Sequence, residues 1–312
     1  MSKLILNTRS FDDKGQMNKS DFDQMMEEID QKLTDEGVPI YSRPLHAVRD
    51  VSERLHVEII FAPECSTANL GHYDELTLAA HINNWYKIRY GDRLKVHLGP
   101  GSVALLIRGV PWKMVFPRIY GKVTFNCNPD LAKYRGAPRI ATGLQELSYS
   151  VLCCIEDFSA GLARTLTQNE RDEILQFFMN SLEVLHSIEN ISSKPYVNEA
   201  SADLQLAVAL IMAKRPQYGL SKWSSLQFVE KLLKSFLELK KTSIPKHHNL
   251  QKIFRAAEAF GLVLPNAAQL PLVQCVAGVR YGEVQVTLSE AISAHHASLT
   301  LAGDLAGQIK GA

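Results

Sequence analysis

Between Leu226 and Leu239 the apolar residues return at three- and four-residue steps (226, 229, 232/233, 236/237 and 239), which lays one apolar stripe along an α-helix. Trp223 leads this helix, and Glu230 and Lys234 stand one turn apart on the adjoining polar face. Pro245 ends the helical region. Leu250, Ile253, Phe254, Ala257 and Phe260 then repeat at helical spacing up to Gly261, a C-terminal stop. The same period predicts further helices. Phe22, Met25/Met26, Ile29 and Leu33 follow a start at Ser20-Asp21-Phe22-Asp23 and run to Gly37, and a second helix spans Asp74 to Tyr90. A helical stretch from Thr142 to Ile191 is clearest from Asn169 onward. Ala200 to Lys214 and Leu288 to Ile309 complete the set.

Another period governs the middle of the chain. Leu94–Leu98, Ser102–Arg108, Trp112–Phe116 and Lys122–Cys127 read as strands separated by Gly99-Pro-Gly, Gly109-Val-Pro and Pro117-Arg-Ile-Tyr-Gly. Val57-Glu-Ile-Ile-Phe61 reads as one more strand, while the stretch from Val38 up to it fits no single pattern. The expected class is therefore α+β. An N-terminal region with an antiparallel, meandering sheet (1–140) leads through connecting helices (141–195) to an all-α bundle of four or five helices (196–312), with a linker at Ser192 to Asn198.

Composition adds mainly exclusions. Thirty-four Lys and Arg face 33 Asp and Glu, so no global field attracts nucleic acid and no charged tail is present. No apolar run approaches membrane-spanning length, and the first residues form no signal peptide. The five cysteines (Cys65, Cys127, Cys153, Cys154 and Cys275) form no CxxC spacing; adjacent Cys153 and Cys154 read as buried packing, and a reducing cytoplasm is expected. Gly99-Pro-Gly lacks the spacing of a phosphate loop or a dinucleotide fingerprint and reads as a tight turn. No GxSxG elbow is present. No cofactor and no metal is expected.

Three groups of residues remain as candidates. His247-His248 has three readings: a hydrogen-bonding pair at a helix start, part of an anion pocket with Lys231, Lys234 and Arg280, or a weakly supported metal site. The three cations themselves are either solvated charges or, with the helix and the Arg280 turn face to face, a focus of positive potential on a phosphate. Tyr281 beside them could stack on a base. His295-His296, inside the last helix, reads as buried or interfacial. In the N-terminal part, Arg43, Arg49, Arg54, Lys87, Arg89, Arg93 and Lys95, then Lys113, Arg118 and Lys122, interleave with Tyr41, Trp85, Tyr86, Tyr90, Trp112 and Tyr120. That mixture suits single-stranded nucleic acid, and it is equally the composition of an ordinary sheet surface.

The C-terminal bundle resembles the HEPN superfamily. The residues that carry the likeness are the Ala-rich helix from Asp203 to Ala213, the Trp223…Gln227-x-x-Glu230-Lys231-x-x-Lys234 helix, the His248-Asn249-Leu250 hinge, and Val279-Arg280-Tyr281-Gly282 before the last helix. The resemblance implies a module that binds nucleotides, RNA or a partner protein, that pairs into homodimers, and that serves in bacterial antiviral defence or toxin-like systems. It makes Glu230, Lys231, Lys234, His248, Arg280 and Tyr281 the expected ligand-binding set. Nuclease members carry a His four to six residues after the Arg. Here those positions are Val284, Gln285 and Val286. Two alternatives follow: a metal-independent ribonuclease in which His248 or His295 replaces the missing residue, and a scaffold subunit of a larger complex.

Overall fold

The computed structural model describes residues 17–59, 73, 77–94, 99–118, 122–135 and 147–312. The chain divides into two compact units, Met1–Val96 and His97–Ala312. Cys65, Lys95 and Tyr120, and the expected strand positions 60–61 and 95–98, lie outside the described residues.

The described residues of the first unit are mainly helical. Helix α1 (Lys19–Asp35) buries Phe22, Met26, Ile29 and Leu33, the stripe its sequence predicts. It starts slightly earlier than Ser20 suggests, because the Asn18 side chain accepts the Asp21 N–H and takes the cap. Helix α2 (Arg43–Leu55) occupies the stretch whose pattern was ambiguous. Pro44 sits in its first turn, Ala47, Val48 and Val51 face inward, and His56 ends it in a left-handed conformation. Residues 57–59 after it are not a strand. Helix α3 (Leu78–Tyr90) buries Leu78, Ile82 and Tyr86 against the other two and stops at Gly91, whose φ is +50°.

The second unit joins a hairpin to a helical bundle. Strands β1 (Gly101–Ile107) and β2 (Val110–Phe116) pair antiparallel from Gly101↔Phe116 to Ile107↔Val110. Arg108 (φ +51°) and Gly109 (φ +79°) form the two-residue turn with both φ angles positive that suits the twist of a hairpin. β3 (Val123–Asn126) does not continue a meander. It pairs in parallel with β4 (Leu147–Ser150), in a stretch whose sequence reads as helical. Leu-Ser-Tyr-Ser is four residues long and holds no β-branched residue, so nothing in it reveals a strand without its partner. Short helix α4 (Leu131–Arg135) lies between them, and Cys153 and Cys154 fall in a 3-10 turn, Cys154 buried.

The helices that follow are α5 (Ala160–Thr165), α6 (Gln168–Glu189), α7 (Val197–Met212), α8 (Tyr218–Leu239), α9 (Leu250–Glu258), α10 (Leu270–Val273) and α11 (Leu288–Gly311). Helices α6 and α11 open with capping boxes, Thr167/Glu170 and Thr287/Glu290. Helix α8 is buried on most of its circumference, small serines included, because α7 and α11 flank it over most of its length and α9 covers its end. One core runs from the hairpin through α6 to α11. The boundaries expected at 140 and 195 thus fall inside a single compact unit: β1 lies on α7 and α11, which no local sequence pattern encodes.

Candidate functional site

The six residues expected to bind a ligand all belong to α8, the hinge before α9 and the 3-10 turn Ala277–Tyr281. Residues 223, 227, 230 and 234 follow one another at helical steps along a single edge of α8. Glu230 is 3% exposed. Its carboxylate accepts from Lys234 Nζ at 2.8 Å, from His248 Nδ1 at 2.9 Å and from Gln227 Nε2 at 3.3 Å. A buried carboxylate needs such company, since an uncompensated one would be strongly destabilising.

Because a carboxylate only accepts, Nδ1 of His248 carries the proton, and Nε2 of a neutral ring is left with its lone pair. The side chain is half exposed. Its ring also meets Trp223 edge-on, with centroids 5.3 Å apart. On the same indole lies Arg280, its guanidinium carbon 5.0 Å from the ring centre, and Tyr281 is 5.6 Å from that guanidinium. Arg280 is exposed and, among the described residues, has no carboxylate partner; Tyr281 is 70% exposed. Trp223 therefore joins two polar groups that the sequence holds 32 positions apart.

Two small features set this approach. A Cβ on Gly219 would come within 2.5 Å of the Val279 carbonyl oxygen, so the bare backbone of α8 lets the 277–281 turn settle on it. Gln274 accepts the Leu250 N–H at 2.8 Å and donates to the His248 carbonyl, which ties the hinge to the segment before that turn.

Lys231 goes elsewhere. One residue beyond Glu230 is a rotation of about 100° around a helix, and its Nζ pairs with Asp203 Oδ2 of α7 at 2.6 Å. Burial raises the Asp203 pKa, with Lys231 opposing that rise. The set thus divides into a connected line, Lys234–Glu230–His248–Trp223–Arg280–Tyr281, and Lys231 on the flank facing α7. Sequence reasoning did not place Gln227, Gln274, Asp203 or Gly219 in the site, although Gln227 and Asp203 stand inside the motifs that carried the family likeness. Trp223 leads its helix and opens the motif that carries the family likeness, but it is not among the six expected ligand-binding residues.

His295 and His296 stand apart from this line. The Ala104 N–H of β1 donates to His295 Nε2 at 3.1 Å, and His296 Nε2 donates to the Ala104 carbonyl at 2.9 Å. Two adjacent imidazoles so complete both backbone groups of one strand residue. His295 is fully buried, which pushes its pKa down to about 3, and burial lowers that of His296 too. Sealed and neutral, His295 is out of reach of a surface substrate. Burial also lifts the thiols of Cys127 and Cys275, to about 12 and about 11, away from nucleophilic use. Among the described residues no group of three His, Cys, Asp or Glu side chains is placed to hold a metal ion, and no helix is long and apolar enough to cross a membrane.

Comparison with known proteins adds one finding. The model for the HEPN domain matches residues 194–294, a span that contains α7 to α10 and the start of α11. This C-terminal region is HEPN-like. No curated protein and no solved structure matches the chain. All six candidate residues, with Trp223 and Gln227, fall within the HEPN-like span.

Proposed function

We propose that the HEPN-like region binds a phosphate-bearing ligand, a nucleotide or RNA, at the surface shared by His248, Arg280 and Tyr281. The observation that carries this reading is Arg280. Its guanidinium carbon lies 5.0 Å from the centre of the Trp223 ring, and the side chain is exposed and has no carboxylate partner among the described residues. An exposed guanidinium without an ion-pair partner has its N–H fork available for a bidentate phosphate contact. Tyr281 offers a face to a base, His248 offers Nε2, and Glu230 with Lys234 fixes the imidazole. Lys231, occupied by Asp203, adds only long-range potential.

The test is a titration of fluorescein-labelled oligouridine and of ATP into the full chain. Arg280→Ala is expected to weaken binding by roughly 10-fold and to flatten its salt dependence. Unchanged affinity in that variant sinks the reading.

The carboxylate-held imidazole favours a second reading, in which His248 transfers a proton during metal-independent RNA cleavage. Cleavage in EDTA that disappears in His248→Ala supports it, and cleavage that persists in that variant removes it. Homodimer formation belongs to the same proposal and rests on the family likeness. Light scattering reads it directly. A place in a defence or toxin-like system rests on the family likeness, and a cytoplasmic one on five cysteines without CxxC spacing.

A further inference from the structure

In the first unit three guanidinium groups gather around one phenol ring. The guanidinium carbons of Arg43, Arg89 and Arg93 lie 5.7, 5.9 and 5.7 Å from the centre of Tyr90, and that of Arg89 lies 4.9 Å from Trp85. Among the described residues only one carboxylate touches them. Asp30 accepts from Arg43 at 3.1 Å, from the Tyr90 hydroxyl at 2.5 Å, and pairs with Arg89 at 3.3 Å. Arg43 and Asp30 are both buried, at 7% and 2% exposure, and satisfy each other. Glu27 acts on Arg89 through space.

What remains outside is a cation excess on aromatic faces. Arg89 and Arg93 are exposed, and Arg93 meets no carboxylate among the described residues. Trp85 and Arg89 stand one helical turn apart on α3, and Arg93 follows in the 3-10 turn Gly91–Leu94. The turn Ile40–Ser42, carrying half-exposed Tyr41, packs beside it. Like charges kept this close repel, and a bound anion would relieve them.

We propose that this face of α3 and its following turn binds single-stranded nucleic acid, with phosphates on Arg89 and Arg93 and a base on Trp85. Rings interleaved with guanidinium groups suit a strand whose bases are unstacked and free to lie on aromatic faces. A duplex hides those base faces. The site is independent of Arg280 and stands or falls on its own residues.

The experiment uses the full chain and fluorescein-labelled oligouridine, with anisotropy measured over a series of salt concentrations. Arg93→Ala is expected to weaken binding several-fold and to reduce the slope of log affinity against log salt by about 0.7, the share of one phosphate contact on a single strand. Trp85→Ala is expected to weaken binding about 5- to 100-fold with the slope retained. Arg93 holds no ion pair among the described residues, so its variant keeps the fold, and thermal unfolding checks this. Native affinity in both variants overturns the proposal. So does absence of binding by the native chain, or equal competition by duplex RNA or polyglutamate. If Arg280→Ala abolishes binding while Arg93→Ala and Trp85→Ala match native, this site is refuted and the HEPN-like one stands. The opposite pattern keeps this site and removes the other.

Discussion

The chain contains two histidine doublets, His247-His248 at the hinge before α9 and His295-His296 within α11, and the fold uses them in opposite ways. At the hinge, one ring turns outward with Nδ1 held by the buried Glu230, while the other stays exposed beside the Asn249 cap. In α11 both rings turn inward and complete the backbone of Ala104. The residue type is the same. Depth, and the identity of the atom bonded to each ring nitrogen, separate a ring that solvent reaches from one that serves as a rivet.

The most severe way to break this contrast is His295→Ala. It removes the acceptor for the Ala104 N–H and opens a void in the core, and about 3 kcal/mol of stability should be lost, read from urea unfolding. A loss below about 1 kcal/mol would mean that the α11 doublet is not structural. Next comes pH. His295 has a folded-state pKa of about 3, well below the ordinary imidazole value, so between those values the unfolded chain binds the extra proton. Stability is then complete above the ordinary histidine value and falls as pH is lowered, by about 1.4 kcal/mol per unit for this residue. Lowering of His296 acts in the same sense. Unfolding measured from pH 7 to pH 5 should show this decline, and His295→Gln should reduce its slope by about one proton. The smallest effect is at the hinge. His248→Ala removes one of several donors to Glu230 and leaves Lys234 in place, so about 1 kcal/mol is expected, together with weaker RNA binding. A loss as large as that of His295→Ala would erase the distinction.

Much of this was legible in the residues. The stripes of α1, α6, α7, α8, α9 and α11 follow from apolar spacing, and the hairpin from two short apolar runs around Arg108-Gly109. What stayed hidden was nonlocal or locally ambiguous. The parallel pairing of β3 with β4 depends on segments 20 residues apart, while α2 does carry a stripe, Ala47/Val48, Val51 and Leu55, which the prolines around it mask. At the candidate site, helical spacing correctly joins Glu230 to Lys234. It cannot report that Asp203 of α7 waits for Lys231, or that Trp223 is the surface on which Arg280 rests.

One arrangement has a practical bearing on any dissection of the chain. The hairpin is fastened to the helices at three points: Ser102 to Gln205, Ala104 to the α11 doublet, and Arg108 to Glu170 at the head of α6. A fragment trimmed to begin at residue 194 would keep the whole matched span yet strip away the strand that its imidazoles grip. Two nitrogens now satisfied in the interior would face water or one another, so the smallest piece that folds faithfully starts upstream of Gly101.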